Sequence, residues 1–184
     1  MTGEHSATAL SDVIDREMIR DRLARLSRGL DRRDAELIRS CYWPEAIDDQ
    51  AVAICSVDDV VAWVVPGDPA MVLTLHTLGQ SLIDVHGDTA TVETHVTAYH
   101  RVRIDDADRD VVLGGRYLDR LQKRGDQWRI NHRKLLCDWH NDLGPSADWA
   151  QGLFGTPFAS PNATGVAHDD PSETFLRGGA PAGG

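Results

Sequence analysis

A single histidine interrupts an apolar stretch of the chain. His76 lies within residues 72–79, where the other positions are leucine, valine, threonine and one glycine. A buried imidazole must be hydrogen-bonded or take part in chemistry, because an unpaired buried polar group costs about 1–3 kcal/mol. Histidine also changes its charge near neutral pH, so it is the first side chain to consider as a general acid or base. His76 is therefore the first candidate for chemistry.

Asp31 is the candidate partner of His76. It comes directly after the stretch with helical periodicity. A carboxylate near a helix C-terminus opposes the helix dipole by roughly 0.3–1 kcal/mol, so another group should compensate it. His76 could be that group, but Arg28 or Arg32 could be as well, or Asp31 could simply be solvated in a loop. For His76 the alternative is a core histidine whose ring binds a backbone carbonyl.

A carboxylate in contact with an imidazole makes a general base. The carboxylate binds one ring nitrogen and thereby fixes the tautomer, leaves the other nitrogen free, and stabilises the imidazolium that forms. A base positioned in this way typically accelerates proton transfer by about 10²–10⁴-fold. The pair would therefore suit removal of a proton from a small molecule.

Arg133 is the candidate electrophilic helper. It shares one face of a predicted strand with Cys137, because side chains alternate along a strand. If that face lines a pocket, the guanidinium could stabilise a developing anion or a departing hydroxide. The alternative is a structural ion pair with Asp31, Asp119 or Asp138.

Other side chains could line the same pocket. His95 and Tyr99 share one face of the longest predicted strand, whereas we place His100 on the opposite face, in a structural role or at a subunit contact. The predicted substrate contacts are Trp43, His95, Tyr99, Tyr117 and Cys137. A tryptophan such as Trp43 is often a core or lid residue instead. No histidines lie at a metal-ligand spacing, so we predict no metal and no cofactor.

Three helices are predicted in the first part of the chain. Apolar residues recur with a helical period over residues 12–30, and Asp34 is a suitable N-cap for a second helix, which Pro44 closes. A capping-box pattern at Ser56 starts a short third helix over residues 58–65.

Four strands are predicted after the helices, because the apolar period changes to two. They cover residues 78–85, 89–104, 111–123 and 127–139. This order indicates an α+β fold, a cone-shaped barrel in which N-terminal helices pack in a curved, mostly antiparallel sheet around a pocket. We expect one domain over residues 12–154, between a flexible N-terminus (1–11) and a Gly- and Pro-rich tail (155–184).

The composition limits the class of protein. The chain has 184 residues and a formal net charge of −10, from 29 acidic and 19 basic residues. This charge argues against nucleic acid or an anionic membrane as a partner. No apolar run could cross a bilayer and no signal-peptide pattern follows Met1. Three scattered cysteines are typical of reduced thiols. We therefore expect a cytoplasmic protein.

Five short motifs occur in a defined order along the chain. They are Ile19-Arg20-Asp21-Arg22-Leu23, Leu30-Asp31-Arg32-Arg33-Asp34, Cys41-Tyr42-Trp43-Pro44-Glu45-Ala46, Leu75-His76-Thr77-Leu78-Gly79 and Gly125-Asp126-Gln127-Trp128-Arg129-Ile130. Their order and spacing resemble the SnoaL-like branch of the nuclear-transport-factor-2-like superfamily. Within that branch the sequence is similar to hexachlorocyclohexane dehydrochlorinase, scytalone dehydratase and bile-acid 7α-dehydratase.

The resemblance implies catalytic roles for three residues. Members of this group use an Asp–His dyad in the pocket to abstract a proton and expel a leaving group, and the matching positions are Asp31 and His76. In the dehydrochlorinase an arginine on the last strand assists the leaving group, and its position falls on Arg133. Several relatives carry a tyrosine or lysine five residues before the dyad aspartate. Leu26 stands there in this chain, so that helper is missing or comes from elsewhere.

The expected function is that of a cofactor-independent lyase, of the dehydratase or dehydrohalogenase type, or of an isomerase. Its substrate would be a hydrophobic small molecule that is steroid-like, terpenoid or aromatic. The alternative is a non-catalytic small-molecule-binding module or an accessory subunit, like the small subunit of ring-hydroxylating dioxygenases, since one fold serves both roles. Apolar residues on the outer sheet face predict a homo-oligomer, and the resemblance favours a trimer or else a dimer.

Overall fold

The structure of the chain, a computed structural model, describes residues 2–159 and 165–178. Its elements are α1 (Thr2–Arg32), α2 (Ala35–Cys41), β1 (Tyr42–Asp49), β2 (Ile54–Ser56), α3 (Val57–Ala62), β3 (Met71–His86), β4 (Thr89–Ile104), β5 (Ala107–Arg124), β6 (Gln127–Pro145) and α4 (Pro171–Leu176). A turn, Trp63–Gly67, follows α3 directly, and its backbone is extended at Val65.

One curved sheet of six strands carries the fold. The strand order is β2-β1-β6-β5-β4-β3, in which β1 and β6 are parallel and all other neighbours are antiparallel. Because β2 and β3 are edge strands, the sheet does not close into a complete barrel. The predicted α+β fold, with N-terminal helices packed in a curved, mostly antiparallel sheet, is confirmed.

The hydrophobic core lies between the helices and one face of the sheet. The helix α1 contributes Ile19, Leu23 and Leu26, which recur at helical spacing and are fully buried against sheet residues such as Val92 and Trp128. Each large aliphatic side chain buried in this way contributes about 1.5–3 kcal/mol. This packing fixes the C-terminal end of α1, which carries Asp31, over the sheet.

The first helix is longer than predicted at both ends. It begins at Thr2, so residues 2–11, predicted as a flexible N-terminus, continue the helix. It also passes Gly29, where a Cβ atom would lie only 3.0 Å from Cγ1 of Ile38. The glycine therefore lets α2 pack closely against α1 and does not end the helix.

The prediction missed both short strands, β1 and β2. We expected Pro44 to end the second helix in a loop, but α2 ends at Cys41 and Pro44 lies within β1. The pairing of β1 with β6 is irregular between Tyr42 and Ile47, and proline is tolerated at such an irregularity because it lacks the N–H that a regular ladder requires. The first long strand also starts earlier, at Met71.

Part of the predicted C-terminal tail docks on the first helix. Residues 165–178 include α4, and Glu173 accepts a hydrogen bond from Nη2 of Arg28 at 2.8 Å. Nε of Arg32 lies 2.9 Å from Oδ2 of Asp170. Residues 160–164 and 179–184 of the predicted tail lie outside the described residues.

Candidate active site

Asp31 lies in the last turn of α1. The helix ends in a Schellman motif, in which the N–H of Asp34 donates to the carbonyl oxygen of Gly29 at 2.9 Å and that of Arg33 donates to Leu30 at 3.3 Å. These bonds satisfy the last helix carbonyls and turn the chain sharply. The Asp31 side chain is therefore held on a well-defined helix end, facing the sheet.

Arg33 links this helix end to the rim of a cavity. Its backbone has the left-handed φ of 53°, a conformation that costs a non-glycine residue about 1 kcal/mol. Its guanidinium donates hydrogen bonds to the carbonyl oxygens of Pro66 and Met71. The side chain thus joins α1, the turn Trp63–Gly67 and the start of β3.

The Asp31 carboxylate contacts His76 through both the ring and the backbone of the histidine. Nδ1 of His76 lies 2.6 Å from Oδ1 of Asp31, and the backbone N–H of His76 donates to Oδ2 at 2.9 Å. The hydroxyl of Thr74 donates to Oδ1 at 3.3 Å. Both side chains are largely buried, with 13% of His76 and 7% of Asp31 exposed. The contact expected between Asp31 and His76 is present.

The alternative partners of Asp31 are engaged elsewhere. Arg28 and Arg32 face the C-terminal segment, where they pair with Glu173 and Asp170. Donors from β3 therefore compensate the unfavourable position of Asp31 at the helix C-terminus. Because Asp31 occupies Nδ1 of His76, Nε2 is the nitrogen left to act on another molecule, and it has no hydrogen-bond partner among the described residues.

A cavity of about 370 Å³ opens beside His76. Its polar lining includes Gln50, Thr74, His76, His100 and Tyr117, and its apolar lining includes Leu30, Val60, Trp63, Val64 and Met71. A smaller cavity of about 330 Å³ lies on the other side of the pair, where Asp31, Arg28 and His76 contribute to its walls. His76 therefore borders both cavities, whereas Asp31 borders only the smaller one.

His100 is a cavity residue that the sequence analysis placed elsewhere. Its ring meets that of His76 edge to face, with 6.0 Å between ring centroids. Burial, together with the nearby His76, lowers the pKa of His100 below its usual value. The sequence contains a signal for this position of His100. The apolar residues Ala90, Val92, Val96 and Ala98 of β4 have even numbers and are buried. His100 belongs to the same inward face.

The same alternation corrects the placement of His95 and Tyr99. They lie on the outer face of the sheet and do not line the cavity beside His76. The His95 side chain is 54% exposed and lies 3.9 Å from Glu93, while the Tyr99 hydroxyl donates to Asp110 at 2.7 Å. The sequence predicts the apolar face of this strand correctly, but the cavity lies on that face and not on the face that carries His95 and Tyr99.

Arg133 lies behind the cavity wall and does not line the cavity. Its Nε and Nη2 donate to the two carboxylate oxygens of Asp119 at 2.7 and 2.8 Å, and the guanidinium lies 3.9 Å from the ring centroid of Tyr117. Burial alone would lower the pKa of Arg133, but the Asp119 carboxylate raises it well above its usual value. Of the two roles considered for Arg133, the structure shows the ion pair with Asp119, and the predicted position beside the leaving group is corrected.

Of the remaining predicted contacts, Tyr117 lines the cavity and Trp43 and Cys137 do not. The Trp43 ring lies 4.4 and 4.8 Å from the guanidinium carbons of Arg124 and Arg129. These two side chains cover the tryptophan away from the cavity. Cys137 is exposed in the middle of β6.

The described residues contain no group of three or more His, Cys, Asp or Glu side chains that could hold a metal ion. Within the same part of the chain, no helix is long and apolar enough to span a membrane.

The family model of the SnoaL-like domain matches residues 11–134. The chain belongs to the SnoaL-like family. This match covers α1 from residue 11 onwards, which carries Asp31, and the strands β3 and β4, which carry His76 and His100. A search of curated protein sequences gave no significant match.

Solved structures share the fold at low sequence identity. A hexachlorocyclohexane dehydrochlorinase, LinA-type3 from Novosphingobium barchaimii, has a TM-score of 0.67 and 15% identity, covering 83% of this chain and 99% of its own. A protein assigned as a scytalone dehydratase from Novosphingobium aromaticivorans has a TM-score of 0.65 and 18% identity, covering 87% and 97%. The protein Kfla4162 from Kribbella flavida has a TM-score of 0.64 and 20% identity, covering 71% and 95%.

Proposed function

We propose that this SnoaL-like protein is a cofactor-independent lyase of the dehydratase or dehydrohalogenase type. In this role His76 removes a proton from a carbon atom of a hydrophobic small molecule. An isomerase that returns the proton to another carbon would use the same residues. The contact of 2.6 Å between Asp31 and Nδ1 of His76 carries the proposal.

The pair supplies a general base in an elimination. Nε2 of His76 takes the proton, and the electron pair of the broken C–H bond forms the new double bond. The leaving group departs from the adjacent carbon with its bonding electrons. Asp31 stabilises the imidazolium that results, because its negative charge stays in contact with Nδ1. In an isomerisation the same imidazolium returns the proton.

Three observations support this proposal over a non-catalytic binding module. In such a module an arginine would satisfy Asp31 just as well, yet Arg28 and Arg32 point to the C-terminal segment. The free nitrogen of His76 borders a cavity and is not packed in the core. His100 adds a second imidazole at the same wall, and its lowered pKa keeps it neutral near pH 7, so it can donate a hydrogen bond to a developing anion.

The cavity favours a compact substrate among the classes that we predicted. Its volume of about 370 Å³ lies near the lower end of the range of about 300–1,000 Å³ that is usual for ligand pockets. The apolar lining residues, such as Val60, Trp63 and Met71, suit one or two hydrocarbon rings. We therefore propose an aromatic or terpenoid substrate in preference to a complete steroid.

The test is proton exchange at an activated carbon. The bicyclic ketone 2-tetralone is incubated with the protein in D2O, and loss of its α-proton signals is followed by NMR. This assay needs a base and a cavity but no particular leaving group. We expect exchange above the buffer rate, and the His76→Ala variant should lose about 10²–10⁴-fold of it.

The matched control is His95→Ala, which removes a histidine from the outer face of the same sheet. It should exchange protons at the wild-type rate. A folded His76→Ala protein that retains the wild-type rate would contradict the proposed function, and so would a wild-type protein that never exceeds the buffer rate.

A further inference from the structure

Arg33 has a positive charge that no carboxylate among the described residues neutralises. Its side chain belongs to the lining of the larger cavity, and its hydrogen bonds go to two backbone carbonyl oxygens, those of Pro66 and Met71. The neighbouring Arg32, by contrast, pairs with the carboxylate of Asp170. Arg33 therefore brings a cation without a counter-charge to the rim of the cavity.

The two hydrogen bonds fix the guanidinium of Arg33 without using all of its donors. A guanidinium has five N–H groups, and these bonds use one on Nη1 and one on Nη2. A Cβ atom on Gly67 would lie 3.5 Å from Cζ of Arg33, so the turn Trp63–Gly67 packs closely against the guanidinium. Because the planar group is held in place in advance, it loses little conformational freedom when it binds a carboxylate.

The backbone position of Arg33 would suit a glycine better. Arg33 is the first residue after α1, with a left-handed φ of 53°, and glycine is the residue most often found there in a Schellman motif. A glycine would remove the strain but would supply no side chain. Backbone strain of this kind persists mainly at functional sites. Together with the unneutralised charge at the cavity, it indicates that the side chain of Arg33 binds a ligand.

Asp68 is the other formally charged residue in the lining of the cavity. Its Oδ1 accepts a hydrogen bond from the backbone N–H of Ala70 at 2.8 Å, and the residue is exposed, whereas Arg33 is half-buried. Solvent and salt screen an exposed charge more strongly than a half-buried one. The charge of Arg33 therefore dominates at the rim and favours an anionic group there.

We propose that Arg33 binds a carboxylate group of the substrate, which is therefore an amphipathic acid. This inference rests on the proposed function and names the substrate class of the same site. One or two hydrocarbon rings contact apolar lining residues such as Leu30 and Trp63, and the carboxylate accepts hydrogen bonds from the free N–H groups of the guanidinium.

The carboxylate of this substrate lies away from the carbon that loses its proton. Arg33 is bonded to Met71 at the start of β3, and His76 lies further along the same strand. At about 3.3 Å per residue, the two positions are roughly 16 Å apart along the strand. The acid group is therefore on a side chain of the ring system, at the opposite end of the molecule from the reacting carbon.

The test compares two ligands of nearly the same shape. 2-Naphthoate carries a carboxylate where 2-naphthamide carries a neutral amide, and both are titrated by fluorescence at low and at high salt. We expect the wild-type protein to bind 2-naphthoate about tenfold more tightly than 2-naphthamide at low salt, as one charge-assisted hydrogen bond provides. High salt should reduce this preference, because it screens the half-buried cation.

The decisive variant is Arg33→Gln, which removes the charge and keeps an amide that can donate to a carbonyl oxygen. It should lose the preference for 2-naphthoate and bind 2-naphthamide as the wild type does, which also shows that the cavity is intact. Arg33→Lys keeps the charge and should keep a preference for 2-naphthoate. The matched control is Arg25→Gln, on the exposed side of the same helix, which should keep the full preference.

Equal affinity of the wild-type protein for both ligands would overturn the inference, and so would an Arg33→Gln protein that keeps the preference. If Arg33→Gln does not fold, the wild type and Arg33→Lys decide, since both must prefer 2-naphthoate. 2-Tetralone is neutral, so its exchange tests His76 alone. Exchange that is lost in His76→Ala, combined with equal binding of the two ligands, would refute only the acid substrate. Exchange that is retained in His76→Ala would refute the proposed function, and the two titrations would still decide the role of Arg33.

Discussion

Asp119 with Arg133 and Asp31 with His76 are both buried pairs of a carboxylate and a nitrogen-bearing side chain, and they differ in which atoms remain free to bind another molecule. In the pair of Asp119 and Arg133, two parallel hydrogen bonds of 2.7 and 2.8 Å occupy both carboxylate oxygens. Both side chains are almost completely inaccessible, with 0% and 2% exposed. In the pair of Asp31 and His76, one ring nitrogen is bound and the other lies at a cavity.

The difference separates a structural pair from a reactive one. A bidentate arginine pair is rigid, and its guanidinium stays protonated throughout the pH range in which proteins fold. An imidazole can exchange its proton near neutral pH, and a bound carboxylate makes it a better base without blocking it. The position on β6 that we assigned to a leaving-group helper is therefore used to hold Tyr117 and the sheet.

The largest effect is expected when the reactive pair loses its carboxylate charge. Asp31→Asn keeps the size of the side chain but no longer stabilises the imidazolium of His76 or fixes its tautomer. Exchange of 2-tetralone should fall by about 10²–10⁴-fold, measured by NMR in D2O. Asp21→Asn, on the exposed side of the same helix, should leave the rate unchanged. A loss of less than threefold in a folded Asp31→Asn protein would remove the distinction between the two pairs.

Breaking the pair of Asp119 and Arg133 should mainly lower the free energy of unfolding. Arg133→Met leaves Asp119 buried without its partner, and such a change costs about 3–5 kcal/mol in the free energy of unfolding. Denaturant titration of the variant measures it. The double variant Arg133→Met with Asp119→Leu removes both charges and should recover most of the loss. A single variant as stable as wild type would show that this pair does not support the fold.

His100 should make the stability depend on pH. Its pKa is lowered in the folded protein, so below about pH 6.5 the unfolded chain binds more protons than the folded one. Stability is therefore complete above this pH and decreases as the pH falls, by up to about 1.4 kcal/mol per pH unit. His100→Gln should have a flatter profile of unfolding free energy between pH 6.5 and 5. His95→Gln, on the outer face, should keep the wild-type slope.

The smallest effect is expected for the ion pairs that hold the C-terminal segment. Arg28 and Glu173 are each partly exposed, and pairs of this kind contribute only about 0.2–1 kcal/mol. Arg28→Ala should change the unfolding free energy within that range and should speed proteolytic cleavage between residues 165 and 178. High salt should reduce the difference from wild type. A loss above 2 kcal/mol would mean that this segment is part of the core.

Long periodic patterns in the sequence predicted most of the fold. The apolar stripe of α1 and the alternation of β4 appear at the expected positions, because each buries one continuous face. The short strands β1 and β2 could not be found in this way. They contain three to eight residues, carry little periodicity, and depend on pairing with the distant strand β6 or with each other.

The contact between Asp31 and His76 could be predicted, whereas the role of Arg133 could not. A polar residue within an apolar run must find a partner, and few groups in the sequence could serve. An inward-facing arginine, by contrast, can meet any of several acids, and only the register that places Arg133 opposite Asp119 selects one of them. The misplacement of His100 has a simpler cause. The even-numbered residues of β4 form the predicted apolar face, and His100 belongs to that face although the prediction does not include it.

The central claim is that Asp31 engages one nitrogen of His76 and leaves the other free to accept a proton. Long-range ¹H–¹⁵N correlation NMR on labelled protein measures this directly, with the His76 signals identified by their loss in His76→Ala. We predict that the neutral ring carries its proton on Nδ1, facing Asp31, and that the Nε2 signal is that of an unprotonated nitrogen. A neutral ring with its proton on Nε2 would contradict the account, because His76 would then have no free base at the cavity.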